Sequence, residues 1–180
     1  VLLDNAKLMA EEAKREKKGP LYSKRDVDRV LSLFETISYD QEFVIAPNIK
    51  LTLKNAGHIL GSAVTVIKSQ NKSLVYTSDL GNVPSELLEP PEEGAFADYV
   101  ICETTYGNRV HEEISRRHEK LNTIINGTIA KGGVLMIPAF AIERTQELLH
   151  DIEHFCDVNN CLIPTFFLDS PLAEKVTRVF

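Results

Sequence analysis

The sequence predicts an α/β fold. Three observations carry this: helical apolar spacing over the first 36 residues, three consecutive apolar runs with tight turns between them from residue 49 to 78, and a strand-helix-strand-helix alternation after residue 132.

Leu2, Leu3, Ala6, Met9, Ala10 and Ala13 recur at helical spacing over residues 2 to 18, and Gly19-Pro20 closes that helix. Lys14, Arg15, Lys17 and Lys18 crowd its last turns, where cations are favoured by the carbonyl end of a helix and where a phosphate patch is the other reading. Ser23 is placed to cap a second helix over residues 23 to 36. The chain opens inside a helix with no preceding strand, which predicts a piece of a longer protein.

"IKLTLK", "AVTVIK" and "SLVYTS" read as an antiparallel meander with turns at "NAGHILGS" and "SQNK". In an up-down-up meander the first and third strands run the same way. His58, just past the first, and Asp79, just past the third, therefore emerge at one edge of the sheet. The run "DYVICE" delivers Glu103 at the end of a further strand, and the three side chains converge if that strand is parallel to the third.

An imidazole and carboxylates on loops at one edge form a borderline-to-hard ligand set, suited to zinc or manganese. Each residue also has a plain reading, since Asp79 ahead of Leu80-Gly81-Asn82 is equally a turn residue.

Beyond residue 110, residues 111 to 131 have the spacing of an amphipathic helix closed by Gly132-Gly133. "VLMIPAF" then reads as a buried strand, "AIERTQELLHDIEHF" as a helix, "TFFLDS" as a strand, and "PLAEKVTRVF" as a helix with Ser170 as cap and Pro171 at its first position. Strands that alternate with helices are expected to be parallel, and their C-terminal ends form the usual ligand edge. Phe140, Arg144, Asp169 and Ser170 fall there. Arg144 and Ser170 are substrate-binding candidates for a phosphate; the alternative makes Ser170 an N-cap and Arg144 a surface ion-pair partner. His150 and His154 have the i, i+4 spacing of helical metal ligands but lack a third ligand or an HExxH pattern.

The 180 residues, 43% apolar and 26% charged, suffice for a buried core. No apolar run reaches membrane-helix length and no signal-peptide pattern opens the chain, so a cytoplasmic location without membrane contact is expected. Cys102, Cys156 and Cys161 form no CxxC pair and are expected as buried reduced thiols rather than a disulfide or zinc knuckle. A net charge of −6 argues against broad coating of nucleic acid, though not against a focused basic groove or a metal that brings its own charge.

"NAGHILGSA", "YTSDLGN", "CETTYGN", "IPAFAIERTQELL" and "FLDSPLAEKVTRVF", in this order, resemble the β-CASP branch of the metallo-β-lactamase superfamily, a group composed mostly of nucleic-acid hydrolases. The resemblance covers nearly the whole chain. It implies part of an αββα sandwich domain over residues 1–110 and the start of a β-CASP parallel-sheet domain over 111–180. It implies two divalent metal ions in the full-length protein, zinc or alternatively manganese, with His58 as a ligand of one and Asp79 bridging both. Glu103 matches the acidic motif that supports the proton network, so that Asp79 and Glu103 are the catalytic candidates.

The activity implied is metal-dependent hydrolysis of RNA, with single-stranded DNA as the alternative substrate. The rival readings are a small-molecule ester or thioester hydrolase and a noncatalytic RNA-processing scaffold. The family's HxHxDH motif has no counterpart among these residues, and its late histidine motifs are expected beyond residue 180; His111, His118, His150 and His154, read as helical, do not replace them. The 180 residues alone are therefore expected to bind metal weakly, to lack turnover, and to self-associate as a homo-oligomer through uncovered apolar surface. Glu143 departs from the pattern, standing where many family members have glycine before the arginine.

Overall fold

A computed structural model describes residues 1–83, 85, 87–93, 96–159 and 163–180. The chain forms two compact units, residues 1–37 and 38–180. The expected junction after residue 110 falls inside the second unit, in the segment between its last strand and its first helix.

The first unit is a pair of packed helices, α1 (Leu2–Glu16) and α2 (Lys24–Leu31), with Ala6 and Val27 buried. Lys17 adopts a left-handed conformation at φ 55° and ends α1. The Ser23 amide donates to the Asp26 carboxylate at 2.8 Å, starting α2. α2 is shorter than the sequence predicts. Its end tightens to i→i−3 bonds from the Leu33 and Phe34 amides, and both side chains stay exposed, so no burial rewards continuing the helix to residue 36.

The second unit holds a five-stranded sheet of β1 (Glu42–Ala46), β2 (Ile49–Asn55), β3 (Ala63–Ser69), β4 (Lys72–Tyr76) and β5 (Tyr99–Ile101), in that spatial order. β1 to β4 are antiparallel, with Leu51 opposite Ile67 and Val66 opposite Val75. The meander is therefore as the sequence predicts, and β1 is an additional strand joined to β2 through Pro47 and a positive-φ Asn48. β5 pairs with β4 in parallel, Val100 beside Val75. Asp98 sets this register. Its carboxylate accepts from the Ser73 amide at 2.7 Å and the Ser73 hydroxyl at 2.9 Å, clasping the start of β5 to the start of β4. Ala56, Val64, Val66 and Val75 form the buried cluster, with Leu80 and Ala97 packed against it.

Three helices follow: α3 (Ile114–Ala130), α4 (Arg144–Val158) and α5 (Pro171–Thr177). α4 packs against both α3 and α5. His118 Nε2 lies 3.3 Å from the Asp151 carboxylate between α3 and α4, and Gln146 Nε2 donates to Thr177 Oγ1 at 2.9 Å between α4 and α5.

The fold is α/β, but the parallel strands expected at "VLMIPAF" and "TFFLDS" do not form among the described residues. Residues 134–140 and 163–169 carry no ladder, and Val134, Met136, Phe140 and Phe167 are largely exposed. A parallel strand needs a paired neighbour and cover on both faces, and the described residues supply neither to these segments. Neither Cys102 nor Cys156 is in a disulfide; Cys156 is buried as expected, whereas Cys102 is exposed, because it follows β5, whose residues are themselves exposed, and Cys161 lies outside the described residues. No helix among the described residues is long and apolar enough to cross a membrane.

Candidate active site

The turn after β2 presents His58. Gly57, at φ 62°, reverses the chain, and its amide donates to the Asn55 side chain at 2.9 Å. A Cβ at Gly57 would lie 2.6 Å from the Pro91 nitrogen. Ser62 Oγ then accepts from the His58 amide at 3.0 Å and the Ile59 amide at 3.2 Å, closing the turn while the imidazole stays exposed.

The turn after β4 presents Asp79. It follows Ser78, which sits at φ 55°. The two turns are joined directly, because the Gly81 amide donates to the Ala56 carbonyl at 2.8 Å. A Cβ on Gly81 would stand 1.8 Å from the Gly57 carbonyl oxygen, so only glycine fits there. The local backbone thus holds the His58 and Asp79 loops against each other.

Glu103 binds the same assembly from the end of β5. Its amide donates to Thr77 Oγ1 at 3.2 Å, Oε1 accepts from the Leu80 amide at 3.0 Å and Oε2 from the Thr105 amide at 3.3 Å. The Leu80 amide bond is the main reason its carboxyl is held below the usual range, with the Thr105 bonds and the nearby His58 adding to the effect. Glu103 is therefore an ionised carboxylate that positions the residue following Asp79.

A second knot fixes the connection from β4 to β5. Lys54 Nζ binds Asp40 at 2.7 Å and Glu92 at 2.8 Å, and Glu92 also accepts the Asn55 amide at 2.9 Å. The two carboxylates push the Lys54 ammonium up to about 12, Asp40 contributing most.

His58, Asp79, Glu103, Arg117, Glu143 and Arg144 all line one cavity of about 880 Å³. Arg144 lies in it with its guanidinium 2.8 Å from Glu147. Ser170 is not among the lining residues; its hydroxyl accepts from the Ala173 amide at 3.2 Å, so in this structure it serves as the cap of α5. His111 corrects an expectation. It precedes α3 rather than lying on a helix, packs edge-on to Tyr106 with ring centroids 4.7 Å apart, and lines the cavity. The sequence signal was its closeness to the turn after Glu103, in "CETTYGNRVH".

His58 and Asp79 offer one nitrogen and one oxygen donor, chemistry that suits zinc or manganese. Among the described residues no group of three His, Cys, Asp or Glu side chains is arranged to hold a cation. A catalytic zinc takes about three protein ligands, so these two are a partial set.

No protein-family model matches the chain. Curated relatives do. The chain is 31% identical over 173 residues to Ribonuclease TTHA0252 of Thermus thermophilus, covering 96% of this chain and 39% of that protein. It is 34% identical over 160 residues to Transcription termination factor FttA of Pyrococcus horikoshii, covering 86% of this chain and 24% of that protein. It is 33% identical over 166 residues to Cleavage and polyadenylation specificity factor subunit 3 of Dictyostelium discoideum, covering 89% of this chain and 21% of that protein. The chain thus spans well under half the length of each. With the ordered motifs and these relatives, the chain belongs to the β-CASP branch of the metallo-β-lactamase superfamily.

Proposed function

We propose that the whole protein is a metal-dependent phosphodiesterase that hydrolyses RNA. The observation that carries this is that His58, Asp79 and Glu103, presented by loops at one sheet edge, line a single cavity that also takes in Arg117 and Arg144. The ribonuclease among the relatives supports the substrate class. His58 and Asp79 would belong to the ligand set of divalent cations, zinc in our reading, which when bound activate a water and neutralise phosphate charge.

The chain's own residues have separable roles. Glu103, by accepting from the Leu80 amide, ties the Asp79 loop to the end of β5, while its other oxygen accepts from Thr105 in its own turn. Arg117 and Arg144 are guanidinium groups suited to a phosphodiester. Arg144 would exchange its Glu147 partner for phosphate, a modest cost because the pair is half exposed. Local cations of this kind let a chain of net charge −6 engage a polyanion at one groove only.

The test is cleavage of an end-labelled RNA by the metal-replete full-length protein and by its Asp79→Ala and His58→Ala variants. Both variants should fold and lose turnover by at least about a hundredfold, as expected when a metal-activated nucleophile is lost. Near-normal turnover by Asp79→Ala overturns the reading. Hydrolysis of a small thioester without RNA cleavage favours the small-molecule alternative.

A further inference from the structure

A tyrosine and a phenylalanine line the cavity that holds His58, Asp79 and Glu103, and they are in opposite states. Tyr106 is already engaged: the Arg109 guanidinium lies 4.6 Å over its ring and His111 packs edge-on to it at 4.7 Å. Phe140 is 84% exposed, and among the described residues no ring or cation stacks on it.

A lone exposed apolar side chain is ordinary on a protein surface. What sets Phe140 apart is how its backbone is held. Its carbonyl accepts from the Thr145 hydroxyl at 2.8 Å and the Thr145 amide at 3.3 Å, and the next carbonyl, that of Ala141, accepts from the Gln146 side chain at 3.3 Å. Thr145 and Gln146 are buried, and Gln146 is itself tied to Thr177 of α5 at 2.9 Å. Two buried polar side chains from the first turn of α4 thus fix the backbone on which an unburied ring stands. Val134 and Met136, exposed on the same segment, do not line the cavity.

Between Phe140 and Arg144 the chain bends at Glu143, which sits at φ 67° and ψ −64° with the Arg144 amide donating to the Ile142 carbonyl at 2.9 Å across it. This is a γ-turn with a positive-φ centre, strained for any residue but glycine, and such strain concentrates where ligands are held. Glu143 itself is 7% exposed with both carboxyl oxygens shut off from solvent, so it shapes the turn and does not meet a ligand. The turn delivers to one cavity a flat apolar ring, from Phe140, and a guanidinium, from Arg144. A ligand that matches both carries a flat apolar face beside an anionic group, and a nucleotide has that form.

We propose that Phe140 is a substrate-positioning residue whose ring stacks on the base of a nucleotide next to the cleaved phosphodiester, with Arg144 on an adjoining phosphate. This rests on the nuclease reading above and adds the base-binding subsite that reading leaves open. Every base has a π-face, so a contact of this kind places the strand without reading its sequence. Phenylalanine has only two side-chain torsions, and on a backbone already held it gives up little freedom on stacking.

The experiment uses the full-length, metal-replete protein and RNA oligonucleotides carrying a single abasic ribose at successive positions around the cleaved bond. Wild type should cut one member of the set about tenfold less efficiently in kcat/KM than the intact strand, the value of one base stacked on an aromatic side chain. Phe140→Ala should cut the intact strand about tenfold less efficiently than wild type does, with no further loss on that abasic strand, because ring and base act on each other. Phe140→Trp keeps a face and should keep the preference. Phe140→Leu keeps apolar bulk without a face and should behave as Phe140→Ala does.

A further tenfold loss by Phe140→Ala on the abasic strand, or wild-type cleavage by Phe140→Leu, overturns the proposal and assigns the residue a packing role, leaving the nuclease reading intact. Equal use of every abasic strand by wild type also overturns it. Failure of wild type to cut any strand overturns the nuclease reading itself, and this proposal with it.

Discussion

The Leu80 amide donates to Glu103 Oε1 at 3.0 Å, which fastens the end of β5 to the residue following Asp79. The two acidic candidates are thus parts of one hydrogen-bonded unit. The carboxylate form is favoured by this bond, so the folded state holds Glu103 ionised at lower pH than the unfolded chain does. Its contribution to stability is present above the ordinary carboxyl pKa of 4.5 and is lost as pH falls below it. Glu103→Gln should remove that share of the acid-side loss in a pH series of denaturant melts. Hydrogen exchange at the Leu80 and Thr105 amides should quicken in Glu103→Ala, and unchanged protection there would show that other contacts hold the loop.

Gly81→Ala should be among the most damaging single methyl additions in the chain. The added carbon would meet the Gly57 carbonyl at 1.8 Å, a backbone group that cannot step aside without opening the His58 turn. A loss of about 3 kcal/mol or more is expected, in the range reserved for core overpacking and backbone strain. Gly127→Ala is the control. It lies inside α3 with nothing within 4 Å of the added carbon, and should stabilise by about 0.5–1 kcal/mol. Thermal melts of the two variants that fail to diverge in sign would refute the close approach of the loops.

Stability should also fall on the alkaline side of acid, because of Glu143. Its folded pKa of about 7 stands above the unfolded value of 4.5, so the native state keeps a proton that the unfolded chain has released. The favourable share is complete below about pH 4.5 and disappears as pH rises through about 7. The difference is on the order of 3 kcal/mol at 1.36 kcal/mol per pKa unit. Glu143→Gln should flatten this part of the profile in denaturant melts between pH 4 and 8, and a variant profile parallel to wild type would assign the slope to another group.

The 180 residues on their own should bind zinc or manganese weakly and leave RNA uncut. His58 and Asp79 supply two of the donors a catalytic cation needs, and among the described residues no group of three His, Cys, Asp or Glu side chains is arranged to hold one. Titration calorimetry with each metal, paired with an RNA cleavage assay, checks both halves. Tight binding of two cations with turnover would mean that other side chains complete the set, and His111, which lines the same cavity, is the first to substitute.

The sequence by itself determined the β2–β4 meander and the shared edge of His58 and Asp79, since both follow from a two-residue side-chain period and from turns closed within a few residues. It also determined the family, through five short motifs whose order is independent of any packing. Glu103 was legible only on a condition, that β5 runs parallel to β4. The Asp98 clasp on Ser73 meets that condition across 25 residues of sequence.

Tertiary structure alone decided that Gly81 packs on Gly57, that Ser170 caps α5 rather than reaching the cavity, and that residues 134–140 lack a ladder. A strand's existence depends on its neighbours, and apolar composition does not report whether a neighbour is present. Glu143 shows the same limit at a single residue. The sequence marks it as a glutamate where glycine is common, but its burial and its γ-turn are properties of the folded chain, and periodicity carries no information about either.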